Sequence, residues 1–263
     1  VLLVNTPTVA ERVGILANIK AAVVYPNNTV TNLKYYFFKE NSFNSPLNHW
    51  DVSQVTDMTA MFLVSTFNQP LNAWNTGKVV SFSGMFNNSV SFNQDIGMWN
   101  TSSATDMSNM FASAVSFNKP LNSWDTSKVT TMSSMFNNAT VFNQPLNNWN
   151  TGIVTTIQNM FNGAKAFNQP IGNWDVKNVT TLQSTFANTD VFNQPLNSWN
   201  LTSKLYNVVQ AFNNAIAFNQ PIDTWNVSNV AFFMSMFEGA LVFNSSVSWA
   251  STLKSIHFAS VFK

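Results

Sequence analysis

The chain has 263 residues and is 45% apolar, enough for a large buried core, yet only 9% of it is charged. A formal net charge of +1 leaves no electrostatic footprint for nucleic acid or an anionic membrane surface. The absence of cysteine excludes disulfides, thiolate catalysis and Cys-based metal sites, and no apolar run is long enough to span a bilayer.

Residues 1–42 stand apart from the rest of the chain. "VLLV" at the start is too short for the apolar region of a signal peptide. "ERVGILANIKAAVVY" reads as a short amphipathic helix leading into a strand. "TVTNLKYYFFKE" reads as a strand carrying Tyr35, Tyr36, Phe37 and Phe38. This segment is expected to cap the first repeat, and in a second reading also to meet another copy of the chain.

From residue 43 to residue 263 the chain repeats itself. "FN" recurs at Phe43, Phe67, Phe92, Phe117, Phe142, Phe167, Phe192, Phe218 and Phe243, in steps of 24 to 26 residues. Each is followed by one of the nine tryptophans, Trp149 and Trp174 among them. Such a period signals stacked units that cannot bury their apolar faces alone. In "FNKPLNSWDTSKVTTMSSMFNNATV" (117–141), Pro120 rules out a long central strand, which leaves a short extended piece at Phe-Asn-Gln. The Asp or Asn after each of the first eight tryptophans supplies helix N-cap chemistry. Val129, Met132, Met135 and Phe136 then fall on one face of a short helix. The predicted fold is an α/β solenoid of about nine coils of about 25 residues, each with a short strand and a short helix. Equivalent residues then form ladders about 4.8 Å apart, as in Phe142 with Phe167, Asn143 with Asn168 and Trp149 with Trp174. Asn, 40 residues in all, is well suited to satisfying turn backbone in its own coil and its neighbour.

The unit formed by "VTDMTAMF" (55–62), "FNQPLNAWNTGKV" (67–79) and their copies resembles the BspA-like, mycoplasma-lipoprotein-type surface repeat, a divergent branch of the leucine-rich repeats. Several units depart from it. Thr185-Phe186, Ala211-Phe212 and Val261-Phe262 lack the usual Met, and Gln-Pro is replaced at Ser45-Pro46, Gln94-Asp95 and Ser245-Ser246. The resemblance implies a secreted or cell-surface protein used for adhesion, interaction or surface structure, without enzyme activity.

Candidate chemistry is sparse. N-x-S/T sequons lie at Asn27, Asn87, Asn100, Asn138, Asn178, Asn200, Asn226 and Asn244, about the number chance gives for this composition. Asn87 and Asn138 follow the predicted helix in an exposed turn, whereas Asn100, Asn200 and Asn226 directly follow Trp, where a cap is needed. In a secreted eukaryotic chain these sites would carry N-linked glycans. The two histidines, His49 and His257, are too far apart for a shared metal site. Asp57 and Asp106 occupy one repeat position two coils apart with Ser81 between them, too few oxygens for calcium. Lys78 and Lys128 read as a solvated edge. No nucleophile elbow, P-loop or H-E-x-x-H sequence is present, and no cofactor is expected.

The last unit ends at "IHFASVFK", still apolar and with no polar capping repeat. Either the chain continues beyond this point or another molecule covers the face, and head-to-tail addition of copies there would give a filament. The expected role is therefore a non-enzymatic extracellular structural or interaction protein, a surface-fibre subunit that self-associates. The alternative is a monomeric adhesin that binds a protein or glycan through its variable face.

Overall fold

The computed structural model describes residues 30–245, with 247 and 249. The expected α/β solenoid, with a strand and a helix in each leucine-rich-repeat-like coil, does not form. Among the described residues there is no helix. Strand pairing is reduced to eight isolated parallel bridges that run Asn32, Asp57, Ser81, Asp106, Thr131, Thr156, Thr181, Asn207, Phe232. Each bridge joins equivalent residues of consecutive repeats. The chain is a pile of coils, and each coil is built from turns.

The segment predicted as a helix shows why. Met135, Asn137 and Ala139 donate their N–H groups to Met132, Ser134 and Phe136 within the coil, each three residues back. The intervening N–H groups of Met132, Ser134, Phe136 and Asn138 donate to Thr156, Gln158, Met160 and Asn162 of the next coil, at 2.7–3.1 Å. Alternate donors thus bond within and between coils. An α-helix would take them all for itself. Ser134 and Asn138 have φ of 57° and 54°, and the same pair of left-handed positions recurs in the other coils, as at Asn109 and Ser113 or Ser184 and Asn188. A right-handed helix cannot hold such residues, whereas Ser, Asn and Gly tolerate them at low cost. Size also counts against helices. Successive Trp rings lie 5.9–6.5 Å apart, while packed helices need about 8–10 Å between axes.

The extended piece at Phe-Asn-Gln is no strand either, because side chains replace the backbone ladder. Asn143 N–H donates to Asn118 Oδ1, and Asn168 N–H to Asn143 Oδ1, both at 3.0 Å. The same bond links every consecutive pair from Asn44 to Asn244. From Asp51 to Asp175, and at Asn226, the Asp or Asn after Trp makes an Asx turn instead of a helix cap, as where Ser127 N–H donates to Asp125 Oδ1 at 2.9 Å; Asn200 instead accepts from Val176 N–H of the preceding coil.

The core is a continuous aromatic column. Phe142 lies between Phe117 and Phe167 at 6.1 and 6.2 Å, with Phe136 at 4.0 Å. Trp149 lies between Trp124 and Trp174 at 6.5 and 6.4 Å, parallel to both within 4°. Such offset stacks add about 0.5–1.5 kcal/mol per pair beyond the area buried. Val129, Met132, Met135 and Phe136 all face this core.

Residues 30–42 are built like the later coils. Leu33, Tyr35, Phe37 and Lys39 donate to Asp57, Thr59, Met61 and Leu63. The strand predicted over this segment is a run of turns instead, with Tyr35 and Lys39 in the left-handed region. The helix predicted in "ERVGILANIKAAVVY" and the "IHFASVFK" end lie outside the described residues.

One left-handed position is a glycine for a steric reason. A Cβ on Gly163, which has φ of 71°, would sit 2.2 Å from Asn138 Oδ1 of the preceding coil. Gly163→Ala is expected to lose about 1–2 kcal/mol in urea unfolding, from the backbone preference and the displaced amide. Adding Asn138→Gly, which removes the clashing amide and tolerates the φ of 54° there, should recover part of that loss.

Candidate functional site

The outward residues of the turn segment make one broad surface. Thr105, Thr130, Thr155 and Thr180 stand in one column, and each hydroxyl donates to the carbonyl one coil back. Asp106, Thr131, Thr156 and Thr181 form the bridge column beside it. Ser108, Ser133, Gln158 and Gln183 form the next. From Thr130 to Ser184 these columns carry only hydroxyls and amides. Such a surface offers hydrogen-bond donors and acceptors without charge. Among the described residues no group of three or more His, Asp or Glu side chains converges as a metal site would require.

The charged residues singled out in the sequence are spread along the pile. Asp57 and Asp106 belong to the bridge column, with Ser81 between them. Their carboxylates close local turns by accepting from Thr59 and Ser108 N–H groups at 2.8 Å. Lys78 reaches Gln54 of the preceding coil. Lys128 lies near Asp125 and helps hold that carboxyl low. His49 is exposed, and His257 lies outside the described residues.

Turn bonds pull three acids below their ordinary value of 3.8. Asp51 is lowered by hydrogen bonds from Ser53. Asp125 is lowered by Ser127 and, less, by Lys128. For Asp175, burial pushes upward, but bonds from Lys177 and Asn200 outweigh it. A depressed folded-state pKa stabilises the fold above the unfolded value, and that stability is lost as pH falls through the folded value. Melting temperature should therefore be flat from pH 7 to about pH 5 and fall below about pH 4. The drop should be modest, because Asp51 and Asp125 are exposed.

The sequon asparagines differ in how they are held. Asn226 and Asn100 are exposed, and their Oδ1 atoms accept from Ser228 and Ser102 in Asx turns. Asn138 is exposed and its amide donates to Asn137 Oδ1 at 2.8 Å. Asn87 is half-buried, and the Ser89 hydroxyl of its sequon is buried against the Phe62 carbonyl at 2.6 Å. Asn178 donates to the Gly152 carbonyl at 2.7 Å and Asn200 to Asp175 Oδ1 at 3.0 Å. Asn244 donates its backbone N–H to Asn219 Oδ1. Asn27 lies outside the described residues.

One buried donor differs from its equivalents in the other coils. From Trp74 to Trp249, each indole N–H donates to a Leu or Ile carbonyl of the preceding coil at 2.8–3.3 Å. Trp50 is only 6% exposed, and its Nε1 has no acceptor among the described residues. A buried donor left without a partner costs about 1–3 kcal/mol.

Three overlapping stretches, residues 17–123, 116–205 and 168–263, match one family model, described as "Mycoplasma protein of unknown function, DUF285". No curated protein matches the chain.

Proposed function

The chain belongs to the repeat family described as Mycoplasma protein of unknown function, DUF285, and from that premise we propose that it is a non-enzymatic structural or interaction protein of the cell surface, a fibre subunit assembled head to tail. The observation that carries this reading is that the bonds between coils repeat: each tryptophan from Trp74 to Trp249 donates its indole N–H to a carbonyl of the preceding coil, so successive coils are joined by the same groups. Its support comes from the repetition of the bonds. Among the described residues each coil donates to and accepts from its neighbours through the same groups, a pattern that a coil of another copy would extend by the same bonds. Joining copies this way is a heterologous contact that does not close. In a secreted eukaryotic chain, exposed sequons such as Asn226 and Asn138 would carry N-linked glycans on the outside of such a fibre.

The uncharged hydroxyl and amide surface favours a second reading, a monomeric adhesin that uses this face to hold a protein or glycan. Negative-stain electron microscopy of the purified native material, with intact mass on the same sample, separates the two. Filaments whose axial repeat is near one subunit length support the fibre. Discrete particles at high concentration contradict it. Mass above 29.3 kDa in glycan-sized steps would place sugars on the sequons.

A further inference from the structure

Near one end, three residues interrupt the uncharged surface. Tyr206 follows Thr180 in the threonine column, Phe232 follows Thr181 and Asn207 in the bridge column, and Met234 follows Gln183 and Val209 in the third. They are 47%, 55% and 59% exposed. The Tyr206 and Phe232 rings meet edge to face, with centroids 6.5 Å apart.

Nothing in the stacking requires large apolar groups there. Tyr206 N–H donates to the Thr180 carbonyl at 3.0 Å, just as Thr180 N–H donates to Thr155, so threonine makes the same bond one coil earlier. The inward positions of these coils keep their usual residues, with Val208, Phe212 and Met236 fully buried. Where a repeat position is fixed by packing, the residue repeats. Where it departs and leaves adjoining apolar side chains in water, the departure marks a contact.

The surroundings specify the chemistry of the contact. Between Thr130 and Ser235 these columns carry no charged side chain, and exposed Lys204 and Glu238, of opposite sign, are the charges nearest in sequence to Tyr206 and Met234. The neighbours are amides and hydroxyls, with Asn207 Nδ2 bonded to Gln183 Oε1 at 3.1 Å. Amides donate and accept together, which suits a ligand rimmed with hydroxyl groups. Aromatic rings give a platform for apolar C–H faces. A molecule with C–H faces, hydroxyl edges and no charge is a neutral sugar. We propose that Tyr206, Phe232 and Met234 form a platform for a neutral polysaccharide chain that runs onto the uncharged face beside them. This goes beyond the fibre reading and holds whether or not copies join end to end.

The test is co-sedimentation of the whole chain with particles of cellulose, β-1,3-glucan, mannan and chitin, with alginate gel as the anionic comparison. The platform predicts retention on at least one neutral polysaccharide, insensitive to salt. Tyr206→Thr with Phe232→Thr restores the residues of the preceding coils and should weaken retention at least tenfold at an unchanged melting temperature. If that pair unfolds the chain, Met234→Gln and Tyr206→Thr, read singly, should each weaken retention. The proposal is overturned by retention on no neutral polysaccharide, by retention that these changes leave intact, or by retention on alginate alone that salt removes. It is also overturned if the paired change abolishes self-association without sugar, since the platform would then be a contact between copies.

Discussion

Replacing Trp149 by alanine is expected to lower the stability of the chain by about 4 kcal/mol in urea unfolding. The indole is buried, stacks on Trp124 and Trp174, lies 6.2 Å from Phe136 and donates to the Leu121 carbonyl at 2.9 Å. Removing it opens a cavity in the middle of the column, where coils on both sides prevent collapse. Trp149→Phe keeps a ring in the stack and loses the N–H, so it should cost roughly half as much. A loss below about 1 kcal/mol for the alanine variant would mean that the aromatic column does not hold the coils together.

The second large effect is expected at Asn143. Its Oδ1 accepts from Asn168 N–H and from Gln169 Nε2, both at 3.0 Å, and the Asn143 carbonyl takes a further Gln169 bond at 3.1 Å. Asn143→Ala leaves a half-buried backbone N–H with no acceptor and should cost about 2–3 kcal/mol. The neighbouring Asn147 is exposed, and its alanine variant should fall within about 0.5 kcal/mol of the parent. Equal losses at the two positions would show that the asparagine ladder is incidental to stability.

The period is legible in the sequence because a stacked column must match itself. Phe, Asn and Trp recur where each touches its own copy one coil away. The backbone between them is not legible by the same signal. Apolar residues at Val129, Met132, Met135 and Phe136 fit a helix face, yet turns closed by bonds three residues back repeat at every second position and turn the same residues inward. What separates the two is the run of Ser and Asn at 133–134 and 137–138, poor helix formers that accept left-handed φ. The Asx turns read as helix caps for a related reason, since Asp125 accepts an N–H two residues on in either setting. Sequence-level reading also passed over Tyr206, Phe232 and Met234. Their signal is present in the alignment of the repeats, where each replaces a hydroxyl or amide residue of an earlier coil, but only the structure brings the Tyr206 and Phe232 rings together and shows all three exposed. The indole N–H of Trp50 is likewise invisible without the bonds made by the other tryptophans.

The most direct test of the turn-built pile is detection of scalar couplings across hydrogen bonds by NMR on deuterated protein. The account predicts coupling from Phe136 N to Met160 C′, from Ser134 N to Gln158 C′ and from Met135 N to Met132 C′, matching bonds of 2.9, 2.8 and 3.2 Å. Coupling from Phe136 N to Met132 C′, with none to Met160, would place a helix in each coil and contradict it.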